Sequence, residues 1–279
     1  MCIRDRGVFG CLFHSKGTKN AVICLGGSSG GLQEERAEIL ASHGFTTLAL
    51  AYFAIEDLPP ALNQIPLEYF EKAIERMFAE SGIEKVALWG GSRGGELVLL
   101  LGTLFPNKIS AIAAHVPSSV VFSSFDPENT PAWTYRGKPV TPIAPFQFTE
   151  GNIGDSEEMA ISVTDCFLKS MEDREAYKAA EIPVEKLECP LLLISAGDDR
   201  MWPSKLFAEQ IEERLMHYQS PIHCTHFAYE NVGHAPSKGE AGLHPIMKRW
   251  FAFGGKAEEN RKAASEWIDR TIVFFKESL

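Results

Sequence analysis

What the 279-residue sequence lacks excludes several classes of protein. It contains no run of about 18 apolar residues, which a membrane-spanning helix requires. It has no excess of positive charge: the formal net charge is −10, which argues against nucleic acid or an anionic membrane as a partner. Its six cysteines include no C-x-x-C pair, the spacing typical of zinc sites and redox motifs. We therefore expect a small-molecule partner, no metal and no cofactor.

The cysteines indicate the cellular compartment, and the first residues affect where the folded domain begins. Cys11, Cys24 and Cys224 lie in apolar, strand-like runs, which indicates buried thiols in a reducing compartment; we expect the cytoplasm. Residues 1–6 read like a translated sequencing adapter of a metagenomic library, so we exclude them from fold reasoning as an artefact. Residues 7–279 are expected to form one α/β domain, because a hydrophobic content of 45% supplies a large core.

A glycine-flanked serine is the strongest motif in the sequence. Residues 90–94 read Gly-Gly-Ser-Arg-Gly and fit the pattern G-x-S-x-G, with a strand-like apolar run before them and a helical run after them. This setting is that of a nucleophile elbow, a turn so tight that the serine backbone is strained and its Oγ stands clear of the sheet. A β-carbon at Gly90 or Gly94 would collide across such a turn. We interpret Ser92 as a nucleophile; a plain glycine-rich turn is the alternative.

The order of strands and helices predicts the fold. Strands and helices alternate along the first 116 residues, which requires a mostly parallel sheet with helices on both faces. Val8–Phe13 is predicted to be an edge strand of that sheet. Strands are predicted at 8–13, 21–25, 45–51, before the elbow, and at 109–116, 191–195 and 225–229; helices are predicted at 32–42, 67–81, after the elbow, and at 204–218 and 259–277.

The middle of the chain breaks this alternation. Prolines and aromatic residues interleave there, and a helical pattern returns within residues 156–180. A loop this long and this apolar inside a compact domain is usually a lid or a binding loop. We predict a cap insertion at about residues 118–187, covering the site; an irregular surface excursion is the alternative. The aromatic residues are Phe122, Phe125, Trp133, Tyr135, Phe146 and Phe148.

A second glycine-rich loop, residues 26–31, lies between a predicted strand and a predicted helix. It has neither G-x-G-x-x-G spacing nor the lysine of a phosphate-binding loop. In a hydrolase, such a loop supplies a backbone N–H to the oxyanion hole. We predict that the amides of Ser28 and Arg93 form this hole; a plain flexible turn is the alternative for residues 26–31.

Two more residues complete the predicted site. Asp199 lies just past a predicted strand, four residues before Pro203, which is the usual setting of a triad acid; a shift to Asp198 stays open. His234 follows the last predicted strand. The chain order Ser92, Asp199, His234 is that of the α/β-hydrolases, which predicts this fold and a Ser-His-Asp triad.

Other histidines offer alternatives. His115 also ends a predicted strand and is the second candidate for the base. His223 and His226 flank Cys224, a grouping that could suggest a metal. Alternate positions on a strand place Cys224 on the opposite face from both histidines, and no further set of ligands is visible.

Many short segments together resemble one family over residues 8–234. The sequence looks like the catalytic domain of acyl-CoA thioesterases, which also occurs in bile acid-CoA:amino acid N-acyltransferase. The matching segments are 30–32, 36–37, 40–42, 44–45, 49–53, 56–59, 67–70, 94–97, 183–185, 198–199 with Trp202, and 233–234. The chain departs from the family pattern at Pro203, where a lysine is expected, and after His234.

The resemblance implies a serine thioesterase acting on acyl-CoA, with Ser92, Asp199 and His234 on the family triad. The acyltransferases of the family use a cysteine where this chain has Ser92. The family normally carries a β-sandwich domain in front of this one; we expect that it is truly absent or that its coding segment was lost upstream.

The acidic composition opposes binding of polyanionic coenzyme A. A local basic patch is needed, and the nearest candidates are Arg93, Arg136, Lys138 and Lys238. A carboxylester or dienelactone-type lactone hydrolase is therefore kept as an alternative. An acyl-CoA:amino acid N-acyltransferase, which the resemblance also covers, and a non-catalytic binding module are further alternatives. The binding module is disfavoured, because all three triad positions are filled.

Overall fold

The computed structural model describes residues 2–5, 7–55, 57–124, 126, 128–143, 162–235 and 251–279, with only the backbone described at 2–5. Within these ranges, no helix is both long enough and apolar enough to cross a membrane. Phe125, Phe146, Phe148 and Lys238, to which the sequence predictions refer, lie outside the described residues.

Eleven strands occur in the described part of the chain, and eight of them form the central sheet in the order β1-β2-β4-β3-β6-β7-β10-β11. From β4 to β11 all neighbours in that order are parallel, which confirms the predicted mostly parallel sheet. The strands are β1 (Cys2–Asp5), β2 (Val8–Phe13), β3 (Asn20–Leu25), β4 (Thr46–Ala51), β5 (Ile65–Pro66), β6 (Lys85–Gly91), β7 (Ala111–His115), β8 (Trp133–Tyr135), β9 (Lys138–Pro139), β10 (Leu191–Ala196) and β11 (Cys224–Tyr229).

The prediction that Val8–Phe13 is an edge strand is wrong. β1 pairs with it antiparallel across a tight turn that brings Asp5 opposite Val8. Gly7 lies in this turn with φ of +77°, a conformation that favours glycine. Setting residues 1–6 aside hid this strand, because a ladder needs only an extended backbone beside the neighbouring strand. The origin of residues 1–6 stays a prediction.

Helices cover both faces of the sheet, as predicted. α2, α3 and α6 contribute to one apolar core, while α1 and α7 contribute to another. Strands with every residue buried, such as β4 and β10, lie between the two layers, which explains their continuous apolar runs. The helices are α1 (Glu34–Ser42), α2 (Glu68–Phe78), α3 (Arg93–Leu104), α4 (Thr164–Ser170), α5 (Arg174–Ala180), α6 (Ser204–His217) and α7 (Ala257–Ser278).

The segment predicted as a cap packs against the rest of the chain at several places. β8 pairs with β5 and β9 in a small three-stranded sheet. Phe122 and Phe167 join a third apolar cluster with Trp202 and Phe207. α4 and α5 fall within the predicted helical range, whose first residues, 156–161, lie outside the described residues. The bounds of the cap stay a prediction.

Candidate active site

The predicted elbow has the geometry that its glycines indicate. Ser92 lies between β6 and α3 with φ of 59° and ψ of −125°, a strained backbone for a residue with a side chain. A β-carbon added at Gly90 would lie 2.0 Å from the carbonyl oxygen of Gly94, and one added at Gly94 would lie 2.4 Å from the carbonyl oxygen of Gly26. No side chain fits at either place, so the two glycines make this turn possible.

The structure brings together the three residues that the sequence predicts as a triad. Ser92 Oγ lies 2.8 Å from His234 Nε2. His234 Nδ1 lies 2.9 Å and 3.0 Å from the two carboxylate oxygens of Asp199. Each residue follows the carboxyl end of a parallel strand, so all three lie beyond the same end of the sheet. We refer to these three residues as the candidate triad.

Backbone N–H groups hold the carboxylate of Asp199, the acidic residue of the candidate triad, in place. Asp199 Oδ1 accepts hydrogen bonds from the N–H groups of Met201 and Trp202, at 3.0 Å and 3.2 Å. The Trp202 ring lies edge-on to the His234 ring, with 5.7 Å between centroids. Asp198 instead pairs with Arg200, and its side chain is 39% exposed. Asp199, rather than Asp198, is the carboxylate beside the imidazole.

The alternative histidines lie elsewhere. His115 Nε2 lies 2.8 Å from Thr271 Oγ1 of α7, and its ring packs between Trp89 and Trp267. Burial lowers the pKa of His115 well below its usual value, and the charge of Arg36 lowers it further. This neutral core histidine does not contact the Ser92 side chain; its carbonyl accepts the Ser92 N–H.

The suggested metal grouping is not formed either. His226 hydrogen-bonds to Ser195 Oγ and to Glu212, while the exposed His223 lies beside Thr225. In the described parts of the chain, no group of three or more histidine, cysteine, aspartate or glutamate side chains could hold a metal ion.

The loop predicted to complete an oxyanion hole lies against the elbow. A β-carbon at Gly27 would lie 3.2 Å from Ser92 Cβ and 3.7 Å from Ser92 Oγ, so this loop borders the serine side chain. Tyr52 donates a hydrogen bond to the Gly26 carbonyl at 2.7 Å, which ties the start of the loop to the chain after β4. The amides of Ser28 and Arg93 remain the predicted donors.

The proposed role of the Arg93 side chain in binding coenzyme A is wrong. This guanidinium is fully buried, donating to Glu96 Oε2 and to the Phe122 carbonyl, each at 2.7 Å. Glu96 also accepts the indole N–H of Trp133 at 2.7 Å. The pair therefore joins the first turn of α3 to the chain that follows β7. Sequence reasoning missed Glu96, although its position three residues after Arg93 on a helix is a signal of an ion pair.

The sheet order and the strand–elbow–helix arrangement define the class of protein: the chain has the α/β-hydrolase fold. The α/β hydrolase GrgF from Penicillium sp. sh18 has a similar fold, with a TM-score of 0.51 and 15% identity over 95% of this chain and 94% of that one.

Residues 65–279 match the family model described as "BAAT / Acyl-CoA thioester hydrolase C terminal", and the chain belongs to this family, as its motifs predict. It is 30% identical to human acyl-coenzyme A thioesterase 6 over 270 residues, which cover 92% of this chain and 60% of that protein. It is 31% identical to mouse acyl-coenzyme A amino acid N-acyltransferase 2 over 287 residues, covering 99% of this chain and 65% of that protein. The chain thus spans less than two thirds of the length of these relatives.

Proposed function

We propose that this protein hydrolyses acyl-CoA thioesters to a free carboxylic acid and coenzyme A. One contact above all supports the proposal: Ser92 Oγ lies 2.8 Å from His234 Nε2 at a strained elbow, in a chain of a thioester hydrolase family. Relatives that carry the name acyl-coenzyme A thioesterase support the substrate class.

Acylation begins when Ser92 Oγ attacks the thioester carbonyl carbon and its proton passes to His234 Nε2. Asp199 accepts the hydrogen bond from Nδ1–H and stabilises the imidazolium that forms. The amides of Ser28 and Arg93 stabilise the negative charge on the former carbonyl oxygen. When the C–S bond breaks, the imidazolium donates its proton to the departing sulfur. Coenzyme A leaves as a thiol, and the acyl group stays on Ser92.

Deacylation repeats these steps with water as the nucleophile. His234 takes a proton from the water that attacks the acyl carbon and returns it to Ser92 Oγ as the acyl–oxygen bond breaks. The acyl-serine is an oxoester, on which a histidine-activated water competes well with amines. Hydrolysis is therefore favoured over transfer to an amino acid, although a mouse N-acyltransferase is among the relatives.

The surroundings of the site also bear on the proposal. With Arg93 excluded, the described candidates for contacts with the coenzyme A phosphates are two exposed residues: Arg136, in the turn after β8, and Lys138, the first residue of β9. Burial raises the pKa of Cys24 and of Cys224 to about 12, which keeps both as unreactive thiols. A reducing, cytoplasmic location is proposed because the five cysteines whose side chains the structure describes form no disulfide with one another.

The test is to follow the release of coenzyme A thiol from a medium-chain acyl-CoA, with products identified by mass spectrometry in the presence of glycine or taurine. Free acid with a trace of amide is expected. Predominant N-acyl product would contradict the proposal. Cleavage of p-nitrophenyl esters without acyl-CoA turnover would favour a carboxylester or lactone hydrolase. No labelling of Ser92 by a fluorophosphonate would favour a binding module.

A further inference from the structure

The loop that carries His234 runs beside a segment that precedes α7. The His234 N–H donates to the Phe253 carbonyl at 2.8 Å. The Lys256 N–H donates to the Asn231 carbonyl at 2.9 Å, and Val232 forms an antiparallel bridge with Gly255. The position of the histidine backbone is therefore tied to residues 253–256.

Glycines allow the two segments to touch through their backbones. A β-carbon at Gly233 would lie 2.2 Å from the Gly254 carbonyl oxygen, and one at Gly254 would lie 1.7 Å from that of Asp198. Asp198 Oδ2 also accepts the Gly255 N–H at 2.8 Å. Because no side chain separates the two segments, the hydrogen bonds to their backbone N–H and carbonyl groups determine their relative position.

Asn260, in the first turn of α7, makes two of these links with one side chain. Its Oδ1 accepts the Gly233 N–H at 2.9 Å, and its Nδ2 donates to the Gly254 carbonyl at 3.1 Å. The side-chain amide thus bridges a peptide group on each segment, one residue before His234 on one side and one residue after Phe253 on the other. A residue without both a donor and an acceptor cannot make this bridge.

We propose that Asn260 is a positioning residue for His234. By holding Gly233 and Gly254 together, it fixes the position of the His234 imidazole. The ring then stays within hydrogen-bond distance of both Ser92 Oγ and the Asp199 carboxylate. The inference rests on the proposed function for its catalytic consequence. Asn260 contacts no reacting atom, so its effect is on the placement of the base, and a displacement of about 1 Å can cost on the order of 100-fold in rate.

The test compares Asn260→Ala, Asn260→Asp and Ser265→Ala with the unchanged protein. Ser265 lies on the same helix, is exposed and donates to the Lys262 carbonyl of that helix, which makes it the matched control. Active sites are counted with a fluorophosphonate, and kcat per labelled site and KM are measured on an acyl-CoA and on a p-nitrophenyl ester.

We expect kcat per site to fall about 10- to 100-fold in Asn260→Ala, with KM within about twofold and no change in Ser265→Ala. Asn260→Asp keeps an acceptor for the Gly233 N–H but places a carboxylate oxygen against the Gly254 carbonyl oxygen, so kcat per site is expected to fall in this variant too. If Asn260→Ala does not fold, Asn260→Asp provides the test of the positioning role.

A crystal structure of the variant separates this inference from the proposed function. We expect His234 Nε2 to move beyond hydrogen-bond range of Ser92 Oγ, whatever substrate the protein prefers. An unmoved imidazole, with kcat per site unchanged and only a lower melting temperature, would overturn the positioning role. If the unchanged protein turns over no ester or thioester, the proposed function fails, while a displaced ring still supports the placement of His234 by Asn260.

Discussion

The described fold holds two hydrogen-bonded series of a serine, a histidine and a carboxylate. One is the candidate triad at the edge of the sheet. The other, which we refer to as the strand array, consists of Ser195, His226 and Glu212. Ser195 Oγ lies 2.7 Å from His226 Nε2, and His226 Nδ1 lies 2.6 Å from Glu212 Oε2. By distance alone, the strand array is as well formed as the candidate triad.

The serines differ in where the backbone places them. Ser92 follows the end of β6 on a strained turn, half-buried and bordered by the loop that contains Gly27. Ser195 lies within β10, between β7 and β11, and is 0% exposed. A substrate carbonyl cannot approach a hydroxyl enclosed in this way, and no backbone amides are free in a strand ladder to stabilise an oxyanion.

The carboxylates differ as well. Asp199 is buried and is held by two backbone N–H groups, so it presents a fixed charge to the imidazole. The Glu212 side chain projects from α6 and is 37% exposed, so water competes for it. Hydrogen bonds from a serine to a histidine and from the histidine to a carboxylate are therefore not sufficient for a catalytic serine. The serine must also stand on an accessible turn beside free backbone amides, and the carboxylate must be held in place.

The largest expected effect is on the candidate serine. Ser92→Ala should lower kcat on p-nitrophenyl esters by about 10⁴- to 10⁶-fold with the fold intact, because the nucleophile is lost. Ser195→Ala is the matched control and should keep the unchanged kcat. Both are measured on protein freed of host esterases, with circular dichroism as the check of folding. Residual high activity in Ser92→Ala would exclude the candidate triad.

The carboxylates provide the next comparison. Asp199→Asn should cost about 10⁴-fold in kcat, because an amide does not stabilise the imidazolium and favours the wrong tautomer. Glu212→Gln should leave kcat unchanged, and Asp198→Asn should cost little. Steady-state kinetics on one ester and one acyl-CoA suffice. If Asp198→Asn proved the more damaging change, the acid would be Asp198.

Much of the candidate site can be predicted from the sequence, because residues close to each other in the chain signal its turns and strand ends. The glycines around Ser92 and the position of Asp199 after a strand are short-range signals of backbone geometry, and the chain order of the triad gives the fold. The strand array has no such signal, since its members come from β10, α6 and β11 and meet only through packing. Asn260 and the burial of Arg93 were missed for the same reason.

A smaller effect is expected from crowding the candidate serine. Gly27→Ala would place a methyl group 3.2 Å from Ser92 Cβ and 3.0 Å from the Gly91 carbonyl oxygen. The loop must shift to accept it, so kcat should fall about 10-fold or more through displaced oxyanion donors. Ser29→Ala, at an exposed residue of the same loop, is the control and should have no effect. An unchanged rate in Gly27→Ala would argue against this loop as part of the oxyanion hole.

The smallest expected effect is on stability, and it concerns the strand array. Ser195→Ala removes a hydrogen-bond partner from His226, whose side chain is 8% exposed, and should lower the free energy of unfolding by about 1–2 kcal/mol in urea. Replacing both partners with apolar residues is nearly neutral when the shape is kept, so His226→Leu added to Ser195→Ala should recover part of this loss. Glu212 can then be hydrated, because it is partly exposed. If Ser195→Ala lowered kcat per active site at unchanged stability, the strand array would have a part in the reaction, and the distinction drawn from burial would fail.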